Sequence, residues 1–68
     1  MEGGEHMERL TIRQARALVG LSQAEVAKKI GVSTPTYRKW EDDPERVTLK
    51  VAKQLAEIFN QPLDRVFF

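Results

Sequence analysis

Residues 21–41, LSQAEVAKKIGVSTPTYRKWE, predict two short helices joined by a tight turn. Ser22 and Glu25 form a capping box, in which the hydroxyl and the carboxylate each accept from a free backbone N–H at the start of a helix. Apolar residues then recur at helical spacing up to Gly31, and glycine tolerates the positive φ at which many helices end. The first of the two helices therefore begins after Ser22 and ends at Gly31.

The second helix is predicted to begin after Ser33, another residue type that caps helices. Pro35 lies in its first turn, where the missing N–H costs little because those amides have no partner inside the helix. Tyr37 and Trp40 follow at i, i+3, a spacing that favours core positions over a stacking platform for single-stranded bases. The other face is polar and basic. This pattern is typical of a DNA-binding helix-turn-helix, although other small helical bundles share short helices and glycine stops.

A further helix is predicted before this stretch. Thr11 and Gln14 form a second capping box, and apolar residues at i, i+3 and i+7 extend the helix over residues 11–19. After the central stretch, the composition of residues 41–47 predicts a loop with a turn at Pro44.

Two more helices are predicted towards the C-terminus. Thr48 caps a helix that ends at Asn60, a residue type that tolerates the left-handed conformation. Pro62 suits the first position of a short fifth helix. The predicted core stripe of the fourth helix is Leu49, Ala52, Ala56 and Phe59, with Leu55 beside it. No segment alternates in the way of a β-strand, so the predicted fold class is all-α.

The length of 68 residues allows one small domain and leaves little room for an enclosed active site. The absence of cysteine excludes disulfides, thiolate metal sites and cysteine nucleophiles, and it fits a reducing cytoplasm. No apolar run approaches about 18 residues, and no signal peptide is recognisable. We therefore expect a cytoplasmic protein with no membrane contact and no cofactor.

The net charge of +1 is a weak argument for a nucleic-acid partner, but the distribution of charge is informative. Lys28, Lys29, Arg38 and Lys39 cluster in the central stretch, whereas residues 41–45 are acidic. The alternative for each lysine is a solvated surface position.

Residues 1–6 are expected to be a vector-derived or disordered leader, so that the domain spans residues 7–68. The dipeptide His6-Met7 is typical of a cloning site before a natural start. Without Glu2 and Glu5 the net charge changes from +1 to +3. His6 is the only histidine, and a leader position removes support for a metal or general-base role.

The segments LSQAEVAKKIGVS and YRKWE resemble the Cro and phage-repressor type of helix-turn-helix, also called the xenobiotic-response-element family. The resemblance extends over residues 10–68. It implies a compact five-helix bundle of the lambda-repressor-like DNA-binding domain type. The implied function is that of a sequence-specific transcriptional regulator, a phage or mobile-element type of repressor that binds an inverted-repeat operator as a dimer. The resemblance also implies a prokaryotic or phage-encoded protein.

The N-terminal half of the second helix in such a motif reaches the base edges of double-stranded DNA in the major groove. The resemblance implies that the base-contacting positions are Ser33, Thr34, Pro35, Arg38 and Lys39. Arg38 or Lys39 is expected to donate to guanine O6 and N7. Thr34 can use its hydroxyl or pack on a thymine methyl, and Pro35 departs from the polar residue that is common in the family.

The expected phosphate contacts are Ser22, Gln23, Lys28, Thr36 and Arg46. Gln23 matches the family's glutamine at the start of the first motif helix, where free amides and the helix dipole favour an anion. The alternative is a solvent-exposed first-turn residue. Arg46 is the only candidate in the acidic loop, because the neighbouring carboxylates would repel phosphates.

The resemblance also implies an ion pair between Arg16 and Glu41. The alternative is that Arg16 extends to water. At the C-terminus, Leu63, Arg65, Phe67 and Phe68 are expected to form a weak two-fold interface, because Phe67 and Phe68 supply more apolar surface than a short helix can bury internally.

An alternative function is a protein-interaction module, such as an antitoxin that binds a toxin or an adaptor, and the acidic residues 41–45 favour it. An enzyme is not expected, because no nucleophile–base pair, metal-ligand cluster or glycine-rich phosphate loop is recognisable in the sequence.

Overall fold

The computed structural model describes residues 9–67, which form a series of short helices without strands. The five α-helices are α1 (Ile12–Leu18), α2 (Gln23–Ile30), α3 (Thr34–Asp42), α4 (Leu49–Phe59) and α5 (Leu63–Val66). A 3-10 helix at Pro44–Arg46 connects α3 to α4. The all-α, five-helix prediction is confirmed. Across residues 9–67, every helix is too short or too polar to cross a membrane.

The predicted helix starts are confirmed by their hydrogen bonds. The Thr11 hydroxyl accepts from the Gln14 N–H at 3.0 Å, and the Gln14 side chain accepts from the Thr11 N–H at 2.9 Å. Ser22 and Glu25 form the same reciprocal pair at 3.0 and 2.7 Å. Single side-chain caps begin α3 and α4. Four helices are therefore initiated by local chemistry that the sequence specifies.

The predicted helix ends at Gly31 and Asn60 are also confirmed. Gly31 caps α2 with φ +91°, and Asn60 caps α4 with φ +59°, both in the left-handed region. These residue types adopt positive φ with little strain, so each helix can stop and the chain can turn sharply.

The core lies where α1, α2, α3, α4 and α5 converge. Its largest fully buried side chains are Tyr37, Phe59, Ile12, Leu55 and Val26. Trp40 is half-buried and meets the Tyr37 ring edge-on, with 6.2 Å between the ring centroids. The Leu10 N–H donates to the Arg65 carbonyl at 3.0 Å, which ties the segment before α1 to α5.

The prediction that Leu49 is a core residue is wrong, since 54% of its surface is exposed. Leu49 has the helical phase of the stripe formed by Ala52, Ala56 and Phe59, but it is the first residue of α4. There it lines an open groove beside Val47 and Phe67, which leaves about half of its surface uncovered. Helical phase alone therefore does not bury a residue at the end of a helix.

The prediction of a loop over residues 41–47 is also wrong in part. Helix α3 continues through Asp42, and the 3-10 helix follows. Asp43 has φ −141° and ψ 79°, as expected for a residue before proline, because the ring of Pro44 excludes the helical conformation there. The helix thus ends at the proline rather than at the first acidic residue.

Two boundaries differ by one residue from the prediction. Pro62 has ψ 145° and precedes α5 instead of occupying its first helical position. Helix α1 spans Ile12–Leu18, with Thr11 as its N-cap and Val19 as its C-cap. The predicted leader over residues 1–6 lies outside the described residues.

Candidate nucleic-acid interface

The outer face of α3 is exposed, polar and basic. Pro35, Thr36, Arg38 and Lys39 are all exposed, while Tyr37 on the opposite side is completely buried. A helix places residues three or four apart on one face, so burial of Tyr37 directs Arg38 and Lys39 outward. The predicted base-contacting positions are thus available to a ligand, except Thr34, which is half-buried.

The start of α3 is stabilised by two hydroxyls that bond to each other. The Ser33 hydroxyl accepts from the Thr36 N–H at 3.3 Å and donates to the Thr36 hydroxyl oxygen at 2.9 Å. Ser33 is therefore an N-cap first, and any base contact must share its hydroxyl with this role. Thr36 keeps its own hydroxyl proton for an outside acceptor.

The position of α3 depends on the Glu41 carboxylate, whose side chain has no exposed surface. Arg16 on α1 donates its Nε–H to Glu41 Oε2 at 2.6 Å, and Tyr37 donates its hydroxyl to the same oxygen at 2.6 Å. Gln23, the first residue of α2, donates from Nε2 to Oε1 at 2.9 Å. One carboxylate therefore connects α1, α2 and α3.

Arg16 and Arg13 complete this cluster. Arg16 also donates from Nη1 to the Leu21 carbonyl at 3.0 Å, which holds the link between α1 and α2. Arg13 is mostly exposed and lies 3.4 Å from Glu41 and 3.7 Å from Asp42. The guanidinium of Arg16 does not extend freely to water, because its side chain is 17% exposed.

The hydrogen bonds keep Glu41 ionised. Burial alone raises the pKa of a carboxyl group, but the bonds from Arg16, Tyr37 and Gln23 outweigh it and lower the pKa of Glu41 to about 2. Burial and the bond to the carboxylate raise the pKa of Tyr37. The bond to Glu41 raises the pKa of Arg16. At neutral pH the cluster is thus an ionised pair with a neutral phenol.

A family model of the helix-turn-helix matches residues 12–66, which include all five α-helices. This chain belongs to the helix-turn-helix family. It is similar to two proteins of Archaeoglobus fulgidus, each described as an uncharacterised HTH-type transcriptional regulator. The identities are 36% and 32%, each over 59 residues, which cover 87% of this chain and 84% or 83% of the relative. No solved structure matches the chain.

The helix-turn-helix comprises α2, the turn at residues 31–33 and α3. Of the expected phosphate contacts on or beside α2, Lys28 and Ser22 are exposed, and the Ser22 hydroxyl serves the cap. Gln23 is half-buried, and its side chain bonds within the protein. Its Oε1 also accepts from the Arg38 Nε–H at 3.4 Å, a long hydrogen bond.

Arg46 lies beyond the helix-turn-helix in the 3-10 helix. It is exposed and donates from Nε to Asp43 Oδ2 at 3.0 Å. Its charge is therefore partly neutralised by a neighbour in the same loop. The carboxylates of Asp43 and Glu45 lower the electrostatic attraction of this segment for phosphate.

Of the residues expected at a two-fold interface, Leu63 and Arg65 lie in α5 and Phe67 follows it. Leu63, Arg65 and Phe67 are each half-buried. Phe67 packs against the core of its own chain, and Arg65 donates from Nη1 to Gln61 Oε1 at 3.1 Å. Phe68 lies outside the described residues. Part of the apolar surface assigned to a partner is thus used internally.

The sequence did not reveal the contacts of Gln23 with Glu41 and Arg38, or those of Arg13 with Glu41. The partners are separated by 18, 15 and 28 positions, so no local spacing indicates them. The sequence offers one signal for these contacts, a long polar side chain, Gln23, at the start of α2.

Proposed function

We propose that the protein is a transcriptional regulator that binds double-stranded DNA sequence-specifically by placing α3 in the major groove. The observation that carries the proposal is the exposed basic face of α3, whose opposite face is fixed to α1 and α2 through buried Glu41. The names of the relatives support a regulatory role. The major groove admits one helix, and a rigidly held helix can read base edges reproducibly.

The base contacts are proposed for the start of α3 and for its exposed face. Arg38 and Lys39 can donate to guanine O6 and N7, since their cationic groups are exposed. Pro35 offers only apolar contact, which suits a thymine methyl. Ser33 and Thr34 lie at the helix start, where hydroxyls can reach either base edges or the adjacent phosphate.

The phosphate contacts are proposed for Ser22, Gln23, Lys28 and Thr36, with Arg46 as the weakest. Phosphate contacts fix the register of a protein on the duplex and contribute most of the salt dependence. Lys28 is the exposed cation of this group on α2. Arg46 contributes less because Asp43 lies 3.0 Å from its Nε.

We further propose a repressor of the phage or mobile-element type that acts in the cytoplasm as a weak dimer on an inverted repeat. A single copy of α3 in the major groove covers few base pairs, and a dimer places two such helices about 34 Å apart in successive major grooves. The half-buried residues Leu63, Arg65 and Phe67, together with Phe68, are the proposed interface. A purely monomeric protein in sedimentation runs at high concentration, with and without operator DNA, would contradict the dimer.

The test is selection from a randomised DNA library, followed by anisotropy titrations on the best site at several salt concentrations. We expect an inverted repeat with half-sites about one helical turn apart and an affinity that falls steeply with salt. R38A and K39A should weaken binding, whereas K53A, which removes an equal charge from α4, should have a smaller effect. Enrichment of no sequence and weak binding at low salt would refute the proposal.

The second candidate is a protein-interaction module such as an antitoxin or adaptor. Asp42 at the end of α3 and Glu45 in the following 3-10 helix are exposed, and they disfavour a close approach of phosphate. A basic partner protein, for example a toxin, would fit them. Tight binding to a neighbouring gene product, with function unaffected by R38A, would favour this candidate over the DNA-binding regulator.

A further inference from the structure

We propose that Gln23 orients Arg38 towards a guanine, so that base preference at this position is determined by a pair of side chains from both motif helices. This inference rests on the proposed DNA-binding function. It assigns Gln23 as a positioning residue, in addition to the phosphate contact proposed at the start of α2.

The first observation is the orientation of the Gln23 carboxamide. Its Nε2 donates to Glu41 Oε1 at 2.9 Å, and its Oε1 accepts from Arg38 Nε at 3.4 Å. A carboxylate can only accept and a guanidinium can only donate, so only one orientation of the amide satisfies both partners. The bond to Glu41 therefore fixes the orientation of the amide, and its Oε1 faces the Arg38 guanidinium.

The second observation is that Glu41, which accepts the hydrogen bond from Gln23, is itself held rigidly. The Glu41 side chain is completely buried, and Arg16 and Tyr37 each hold it at 2.6 Å. Gln23 itself is half-buried. By contrast, Arg38 is exposed, and a long exposed side chain loses rotamer freedom when it binds. A partner that limits this freedom beforehand reduces the entropic cost of the contact.

The third observation concerns the donors that remain. Arg38 contacts Gln23 through Nε, which leaves both terminal nitrogens, Nη1 and Nη2, in one plane for another acceptor pair. Guanine presents O6 and N7 side by side in the major groove, and a pair of guanidinium N–H groups matches them. The geometry thus favours guanine over adenine, whose N6 amino group is a donor.

A phosphate contact and a positioning role have different consequences. Loss of a phosphate contact weakens binding about uniformly for all sequences, whereas loss of a base-reading geometry relaxes preference at one position. The effect of a Gln23 substitution on base discrimination therefore separates the two roles.

The experiment uses the operator obtained by selection and variants with each of the four bases at every half-site position. R38A first identifies the position that Arg38 reads, by loss of guanine preference there. Q23M then removes both amide contacts while keeping a side chain of similar length. We expect Q23M to reduce guanine preference at that position by about tenfold and to leave preference elsewhere unchanged.

The double variant Q23M/R38A provides the decisive comparison. We expect Q23M to change discrimination at this position only when Arg38 is present. Circular dichroism and urea unfolding show whether Q23M remains folded, and Q23A provides a second substitution if it does not.

Three results would overturn the inference. In the first, Q23M weakens binding equally for all four bases, as a phosphate contact predicts. In the second, Q23M leaves discrimination unchanged. In the third, R38A alters preference at no position. A wild-type protein without any base preference would instead refute the proposed function itself, so the two failures are distinguishable.

Discussion

At the scale of a single residue, Glu41 makes the free energy of unfolding depend on pH in the acidic range. Its pKa is about 2 in the folded protein, against an ordinary 4.5. Because the folded pKa is lowered, the stabilisation is complete above about pH 5 and is lost as pH falls towards 2. The difference amounts to about 3 kcal/mol, since one pKa unit corresponds to about 1.4 kcal/mol.

We predict that the wild-type protein loses about this free energy of unfolding between pH 5 and pH 2, and that E41Q lacks most of the loss. E41Q should also be less stable at pH 7 by about 2–4 kcal/mol, because Arg16 loses its charged partner. Urea unfolding at a series of pH values measures both effects. E57Q is the control, since Glu57 is exposed on α4 and lies outside this cluster. Equal acid sensitivity in E41Q and wild type would contradict the assignment.

A second prediction for a single residue concerns the titration of Tyr37 at alkaline pH. Burial and the bond to Glu41 raise the pKa of this phenol, which belongs to the only tyrosine in the chain. The raised folded pKa means that its contribution is complete below the ordinary value near 10 and is lost as pH rises above it. We predict that tyrosinate absorbance of the native protein does not titrate near pH 10 and rises only with unfolding. A normal titration without unfolding would show that the phenol is accessible.

At the scale of the element, the turn between the motif helices depends on backbone conformation at Gly31. Its φ is +91°, and an added Cβ would meet no heavy atom within 4 Å. The cost of a side chain there is therefore conformational and not steric. We predict that G31A lowers the free energy of unfolding by about 1 kcal/mol.

Substitution G31N is the matched control, because asparagine tolerates the left-handed region better than alanine. It should be less destabilising than G31A in urea unfolding. A neutral effect of G31A would mean that the turn can adopt another conformation.

The predictability of each element follows from the range of its interactions. The starts at Thr11, Ser22, Ser33 and Thr48 are predictable because each capping oxygen accepts from a backbone N–H only three residues further on. The tie between Gln23 and Glu41 was not predicted, because it joins different helices. The Arg16–Glu41 pair was expected only from family resemblance, since composition and spacing cannot select one carboxylate among several. The burial of Leu49 was predicted wrongly because helical phase does not reveal where a helix end extends beyond its neighbours.

At the scale of the whole molecule, a small net charge makes the placement of each cation important for binding DNA. Lys28 is exposed on α2, while Arg46 is paired with Asp43 at 3.0 Å. A protein that neutralises phosphates loses affinity with a salt slope of about 0.9 per contact. We predict that K28A reduces the slope by about this amount per protomer, and that R46A changes it much less.

The D43A variant tests the cause of this difference. It should free Arg46 and increase the salt slope, because Asp43 makes no side-chain bond that caps the 3-10 helix. The measurement is anisotropy on one operator at several salt concentrations. Equal slopes for K28A and R46A would show that the pairing with Asp43 does not persist on DNA.

The two faces of α3 have consequences for how such a protein can evolve. Glu41 binds side chains from three helices, so a change there would require coordinated changes at Arg16, Gln23 and Tyr37. Covariation among these positions is expected in descendants of this sequence. Pro35 and Lys39 are exposed and lie outside this cluster, so lineages can change contacts there by drift while the scaffold beneath α3 is preserved by purifying selection.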